Sequence, residues 1–223
     1  MSDHHLDENF SIGNRLAMVF HLLDMSREQR RALLAFLLPL ELKDRETYEH
    51  SVRVAILGYS IGEFMRLDPK ALFYAGLLHD IGKIQTDPKT LQKTEGWTPA
   101  DTEEIKSHVI DGYKLLRGYF DFSAEVILHH HTFQRAPYPD VLPEPLHDYG
   151  RGTKAFISFY GRMLALADHF DALHRVNDRS GVKRALSGDE IAARMITENP
   201  DQASLVRILY SAKIFRKRES VKG

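Results

Sequence analysis

An all-α fold is predicted for this chain, a helical bundle preceded by a short helical extension, on three observations. No stretch sustains a two-residue alternation of apolar and polar positions with β-branched enrichment, so a sheet is not expected. Apolar residues instead recur at three- and four-residue spacing, as in Val52, Ala55, Ile56 and Tyr59. Helix-start chemistry punctuates the chain at Asp68-Pro69, Thr98-Pro99 and Ser187-Gly188-Asp189-Glu190. At 223 residues, 43% of them hydrophobic, the chain suffices for one domain with a packed core. Its boundaries are set at residues 1–39 for the extension and 40–223 for the bundle.

The elements follow in order. Residues 1–9 are polar and frayed, and His4-His5 there are read as solvated. Two helices over 12–23 and 27–38 form the extension; the run Leu33-Leu34-Ala35-Phe36-Leu37-Leu38 reads as a buried helix end stopped by Pro39. A helix beginning by Glu46 carries the stripe through Tyr59. Asp68 as N-cap, with Pro69 at the first helical position, opens a helix that runs to His79. Thr98-Pro99 repeats the device, with Glu103 and Glu104 in the first turn. His108 shares a face with Ile105, Gly112 and Leu115, and a further helix ends at Val126-Ile127-Leu128. The longest irregular stretch, 134–153, is rich in proline and glycine, and loops of that length are usually functional or disordered. Met163-Leu164-Ala165-Leu166-Ala167 is a core-facing helix segment, Ser187 and Glu190 form a capping box, and Asp201 is expected to cap the last helix.

Composition narrows the function. The formal net charge of −1 gives no global positive field for a nucleic-acid polymer, and the C-terminal Lys213–Arg218 tract reads as a solvated helix end. There are no cysteines, hence neither disulfides nor thiolate ligands, which fits a cytoplasmic chain. No apolar run reaches the roughly 18 residues of a membrane span, and the N-terminus lacks a signal pattern.

The remaining signal is a series of histidines and carboxylates: Glu46, His50, His79-Asp80, His108, His129-His130-His131 and Asp168. Imidazole and carboxylate together suit divalent metals. Glu46 and His50 are four residues apart and share a helix face. His79-Asp80 closes the apolar run 72–78, and Asp168 follows another, so both carboxylates are buried and need partners. A shared metal site accounts for the set.

With these residues in place the chain resembles the HD superfamily of metal-dependent phosphohydrolases, which is all-helical. The fuller pattern looks like its HD-GYP branch, whose characterised members hydrolyse cyclic di-GMP. Leu77-Leu78-His79-Asp80-Ile81-Gly82-Lys83 matches the core signature, and 43–50 resembles the segment with an extra Glu ligand before the first His. His108 with Gly112, the pair His129-His130, the segment 167–173 around Asp168, and Asp178-Arg179 match further elements, so that the likeness spans 40–209. Three departures stand out. His131 replaces a Glu, Pro137-Tyr138-Pro139 replaces Gly-Tyr-Pro, and Gln134-Arg135-Ala136 replaces the preceding glycine and acid.

The resemblance implies two or three divalent ions, iron or manganese favoured over zinc. His50, His79, Asp80 and Asp168 would hold one, and His108, His129 and His130 a second. Asp80 would bridge them, and Glu46 would support a third. Cations about 3.5–4 Å apart lower the pKa of a bridging water, which then attacks phosphorus in line. The implied substrate is a cyclic dinucleotide, cyclic di-GMP first. Another phosphoester, or a weakly catalytic binding module, are the alternatives. Lys83 either faces the site and stabilises phosphate charge or caps a helix in solvent. Arg179 and Lys183 are phosphate contacts by resemblance, and Tyr138 either packs on a base or anchors its loop. A homodimer through the N-terminal helices and Trp97 is a further expectation.

Overall fold

The computed structural model describes residues 11–176 and 182–216. Among them are eleven α-helices and no β-strand. Helix α1 (Ile12–Leu22) starts where the Ser11 side chain accepts from the Asn14 amide. Helix α2 (Arg27–Lys43) starts at a capping box of Ser26 and Gln29. It does not stop at Pro39, which lies inside it, and so the boundary expected after residue 39 falls within a continuous helix. Proline removes one helical hydrogen bond, but Ala35 and Pro39 both face solvent, where water takes up the freed carbonyl. Leu33, Leu37 and Leu40 are fully buried and hold the helix down, each by roughly 1.5–3 kcal/mol. Leu34 and Leu38, expected inside, are 41% and 51% exposed, because the stripe has helical and not continuous periodicity.

Asp44 ends α2 and caps α3 (Arg45–Met65), its carboxylate accepting from the Thr47 amide at 3.1 Å. Helix α4 (Pro69–Leu78) opens at Asp68 as expected, with the Asp68 side chain on two amides of the first turn. A 3-10 turn over Ile81–Gln85 follows the His79-Asp80 pair. Short helices come next: α5 (Pro88–Leu91), α6 (Pro99–Lys106), α7 (His108–Leu116) and α8 (Asp121–Ile127). Helix α9 (Arg151–Ala172) is the longest and packs on α3, α4 and α8. The chain closes with α10 (Gly188–Glu198) and α11 (Ala203–Ser211). Asp201 does not cap α11. It lies in a 3-10 turn, and its carboxylate takes a two-pronged pair from the buried Arg162, at 2.8 and 2.6 Å.

One apolar core joins these helices, through residues such as Val52, Ala55, Phe73, Leu77, Val126 and Leu164. Leu16, Val19 and Phe20 of α1 and the buried leucines of α2 belong to that same core, so the extension is packed as part of the bundle. Lys43, at the end of α2, reaches the 3-10 turn, donating to the Ile84 carbonyl at 2.7 Å and to the Thr86 carbonyl. Among the described residues no helix is long and apolar enough to cross a membrane.

Candidate metal centre

Helices α3, α4 and α9 bring one set of ligand types together. His50 projects from α3, His79 closes α4, Asp80 opens the 3-10 turn, and Asp168 comes from α9. His50 Nε2 lies 3.0 Å from Asp168 Oδ1 and 3.6 Å from Asp80 Oδ2. His79 Nε2 lies 3.4 Å from Asp80 Oδ2 and 3.8 Å from Asp168 Oδ1. The second set hangs on shorter elements. His108 is the first residue of α7, and its Nε2 is 3.4 Å from Asp80 Oδ1 and 3.4 Å from His130 Nε2. His131 joins them, its ring centroid 3.8 Å from that of His130 and 5.2 Å from that of His108. Asp80 therefore touches both sets, one oxygen toward each.

Backbone geometry makes this convergence possible. The turn after Asp80 crosses α7 so closely that a Cβ on Gly82 would overlap the His108 carbonyl. Gly161 of α9 likewise leaves no room for a Cβ against His129.

Three of the rings are fixed by a shared device. Nδ1 of His79, His108 and His130 each donates to the carbonyl three residues earlier, on Gly76 (2.8 Å), Ile105 (2.5 Å) and Ile127 (2.5 Å). His50 Nδ1 donates to Asp171 Oδ2 at 2.8 Å, and Asp171 also holds Arg53 Nε at 2.7 Å. With the proton on Nδ1 of His79, His108 and His130, each of their Nε2 atoms keeps a lone pair for a metal. Protonation states agree. Burial keeps His79 and His108 below the usual imidazole range, against the opposing pull of the Asp80 charge, and burial brings His130 down to about 4. Burial alone would raise the Asp80 carboxyl, but Lys83, His79, His108 and His50 together hold it well below the usual range. Asp168 is held low in the same way, against burial, chiefly by the hydrogen bond from His50. The result is neutral imidazoles at His79, His108, His130 and His131 around the carboxylates.

The donor set fits a divalent metal on a direct test. His79 Nε2 is buried and has no hydrogen-bond partner, a costly arrangement unless an ion takes its lone pair. Three groups place their ligand atoms within 4.8 Å of one another: His50, His79 and Asp80; His79, His130 and Asp168; and His108, His130 and His131.

Two expected ligands lie elsewhere. The expected pair His129-His130 is replaced in the cluster by His130-His131. Residues 128–133 form successive turns in which the His130 and His131 rings come together, while His129 faces Gly161 of α9. Glu46 shares the helix face of His50, but its side chain is 68% exposed and lies 3.8 Å from Arg175. Lys83 is 7% exposed, its Nζ donating to Asp80 Oδ2 at 2.5 Å, so it is not a solvent-facing helix end. Tyr138 is buried and stacked on His131, with centroids 4.3 Å apart. Lys183 is exposed, and Arg179 lies outside the described residues. Asp171 and Arg53 were not singled out by sequence, although each sits three residues from a ligand, Asp168 and His50, on the same helical face. The surface grooves lined by Asp68, Ala71 and Phe122 lie at the other end of α4 from His79 and hold none of these groups.

An all-helical bundle that gathers histidines and aspartates around a His-Asp turn defines a class, and a model of the HD domain family matches residues 47–173. This chain belongs to the HD domain family, in which such a site holds divalent metal. Over 142 residues it is 32% identical to a cyclic di-GMP phosphodiesterase of Thermotoga maritima, covering 60% of this chain and 36% of that protein. Over 149 residues it is 29% identical to 3'3'-cGAMP-specific phosphodiesterase 1 of Vibrio cholerae, covering 64% and 32% respectively. The chain thus spans about a third of the length of these relatives. The crystal structure of the HD domain of the L. monocytogenes phosphodiesterase PgpH superposes with a TM-score of 0.53 at 17% identity, over 75% of this chain and 83% of that one. That likeness speaks for the fold.

Proposed function

We propose that this chain is a metal-dependent phosphodiesterase acting on a cyclic dinucleotide, with cyclic di-GMP the first candidate. The observation that carries the reading is the buried cluster itself, in which Asp80 stands between two sets of imidazoles with Lys83 beside it. His50, His79, Asp80 and Asp168 are assigned to one ion, and His108, His130, His131 and Asp80 to a second. Nitrogen and oxygen donors without thiolate favour iron or manganese over zinc. When bound, such ions supply the charge that acidifies water and withdraws electron density from a phosphoryl oxygen. The chain's own groups do the rest. The imidazoles of His79, His108 and His130 stay neutral with protons held on Nδ1, and Asp80 stays ionised. The Lys83 ammonium, 2.5 Å from Asp80, is positioned to offset negative charge growing on a phosphate oxygen.

Substrate choice rests on the names of the relatives, which include both a cyclic di-GMP and a 3'3'-cGAMP enzyme. Tyr138 is turned inward onto His131 and does not offer a free face for a base on that side. Presentation of a dinucleotide should therefore be weaker than with an intact Gly-Tyr-Pro loop, and misplacement by about 1 Å can cost on the order of 10²-fold. The experiment is turnover of cyclic di-GMP, 3'3'-cGAMP and a generic aryl phosphodiester by iron- or manganese-loaded protein, with Asp80→Ala as control. Hydrolysis of the aryl ester together with one cyclic dinucleotide is expected. Loaded protein inactive on all three would overturn the enzyme reading, and activity surviving in Asp80→Ala would mark a contaminant.

A further inference from the structure

Helices α3 and α9 meet along a row of charged and polar groups that runs on past the metal centre. On α3 the row is Glu46, His50 and Arg53, at spacings of four and three. On α9 and just beyond it the row is Asp168, Asp171 and Arg175, at spacings of three and four. The pairs run antiparallel: Arg53 with Asp171, His50 with Asp171 and Asp168, and Glu46 with Arg175. Arg175 lies beyond the last residue of α9, yet the spiral carries on to it. The His174 amide donates to the Asp171 carbonyl at 3.1 Å, and the Arg175 amide to the Ala172 carbonyl at 3.2 Å. The metal cluster also opens along this edge. The side chains of His50, His79, Asp80 and His108 are at most 2% exposed, against 12% for Asp168.

Arg175 is the odd member of the row. His50, Arg53, Asp168 and Asp171 each have a partner at 3.0 Å or less. Arg175 Nη1 stands 3.8 Å from Glu46 Oε1, beyond hydrogen-bond reach, and the Glu46 side chain is mostly in solvent. Such a screened pair contributes little. Arg175 Nε is buried and makes no hydrogen bond among the described residues. A buried donor left unmet is costly, and a guanidinium is a permanent charge whose fork of donors matches two oxygens of one phosphate. Lys83 already serves the shared carboxylate Asp80. Seven residues of helical rise set Arg175 about 10 Å along the row from Asp168, so the two cations are spaced to meet different phosphates.

We infer that Arg175 is a specificity-determining residue, which binds the second, non-reacting phosphodiester of a cyclic dinucleotide while the first lies at the metal centre beside Lys83. The inference rests on the chain being the phosphodiesterase proposed above. Nε and one Nη donate to the two free oxygens of the second phosphate, and the long contact with Glu46 is given up. The metal cluster by itself contains no reason to prefer a two-phosphate ring, since any phosphodiester can meet the ions. Arg175 supplies one: binding energy from a remote phosphate, spent on holding the reacting one in place.

The test compares manganese-loaded full chains of native protein, Arg175→Gln, Arg175→Lys and Glu46→Gln on cyclic di-GMP and on an aryl phosphodiester, which carries a single phosphate. Calorimetry with the slowly hydrolysed phosphorothioate analogue of cyclic di-GMP gives binding apart from turnover. Arg175→Gln should lower the preference for cyclic di-GMP over the aryl ester, as the ratio of kcat/KM, by roughly 10–100-fold, and weaken the analogue by a similar factor. The loss should fall on KM more than on kcat. Arg175→Lys, which keeps the charge and the stem but not the fork, should lose less on both measures. Glu46→Gln should lower neither, which separates a phosphate contact from a surface ion pair. An unmoved ratio, equal losses on the two substrates, or a native protein that hydrolyses only the aryl ester would overturn the assignment of Arg175 and leave the enzyme reading standing. A native protein inactive on both substrates would overturn both.

Discussion

The two walls of the metal centre are built differently. One wall, with His50, His79 and Asp168, stands on α3, α4 and α9, which pack on one another, and it has an ionic outer support: Asp171 joins His50 to Arg53. The other, with His108, His130 and His131, stands at the start of α7 and in the turns after α8, and is backed by two carbonyls and a glutamine. A charged support set in long helices fixes a ligand and raises its basicity. A neutral support on a loop can be exchanged by substitution without disturbing the core. The first position is therefore expected to be tight and invariant to loop changes, the second adjustable.

The largest effect should come where the walls meet. Asp80→Ala removes the carboxylate shared by both, leaving Lys83 and three imidazoles without it. Elemental analysis should then find less than one metal per chain, with turnover at background. Retention of one full equivalent would mean that the walls are independent. Asp171→Ala should come next. It strips the outer support from His50 and leaves Arg53 unpaired in a partly buried position, for a cost of about 3 kcal/mol in denaturant unfolding and about 10–100-fold in the affinity of the tighter ion. If instead only the weaker ion is affected, the assignment of walls to ions is reversed.

Acid should separate them as well. Burial opposes ionisation of Asp171, yet the hydrogen bond from His50 and the pair with Arg53 hold its carboxyl far below the ordinary range. A depressed folded-state pKa contributes stability that is complete above the unfolded value, about 3.9, and is lost as pH falls toward the folded one. Metal-free native protein should thus lose melting temperature more steeply below about pH 4 than Asp171→Asn does. Parallel acid limbs in the two would remove Asp171 from the account. Smaller again is Tyr138→Ala, which takes the stacked ring from His131 and should weaken only the second ion, by about 10-fold. Glu46→Ala should change metal content by nothing measurable, since that side chain lies in solvent. Loss of an equivalent there would restore a third metal position.

Much of this was legible beforehand. Asp68-Pro69, Thr98-Pro99 and Ser187 start helices where their capping chemistry said they would, because a cap is decided by a few adjacent residues. His50, His79, Asp80, His108, His130 and Asp168 were identifiable by type and by the apolar runs beside them. What failed was direction. Three consecutive histidines in a run of turns carry no periodicity, so nothing local chooses 130 and 131 over 129; the choice is made by α9 pressing Gly161 against His129. Glu46 has the correct spacing, but a residue in the first helical turn can point outward as easily as along its face. Pro39 failed as a stop because buried leucines on either side outweigh one missing hydrogen bond.

The lysine at the end of α2 bears on where this chain can be cut. The matched family region begins at residue 47, and a truncation placed there would look generous to the metal ligands. It would discard Asp44, the cap on the helix that carries His50, and Lys43, which ties down the carbonyls of Ile84 and Thr86 immediately after Lys83. It would also expose the core faces once covered by Leu33, Leu37 and Leu40. A minimal fragment that keeps the metal centre, for expression or for grafting onto another protein, has to start before α2, and a fusion partner joined at α2 would pull directly on the turn that holds the shared carboxylate.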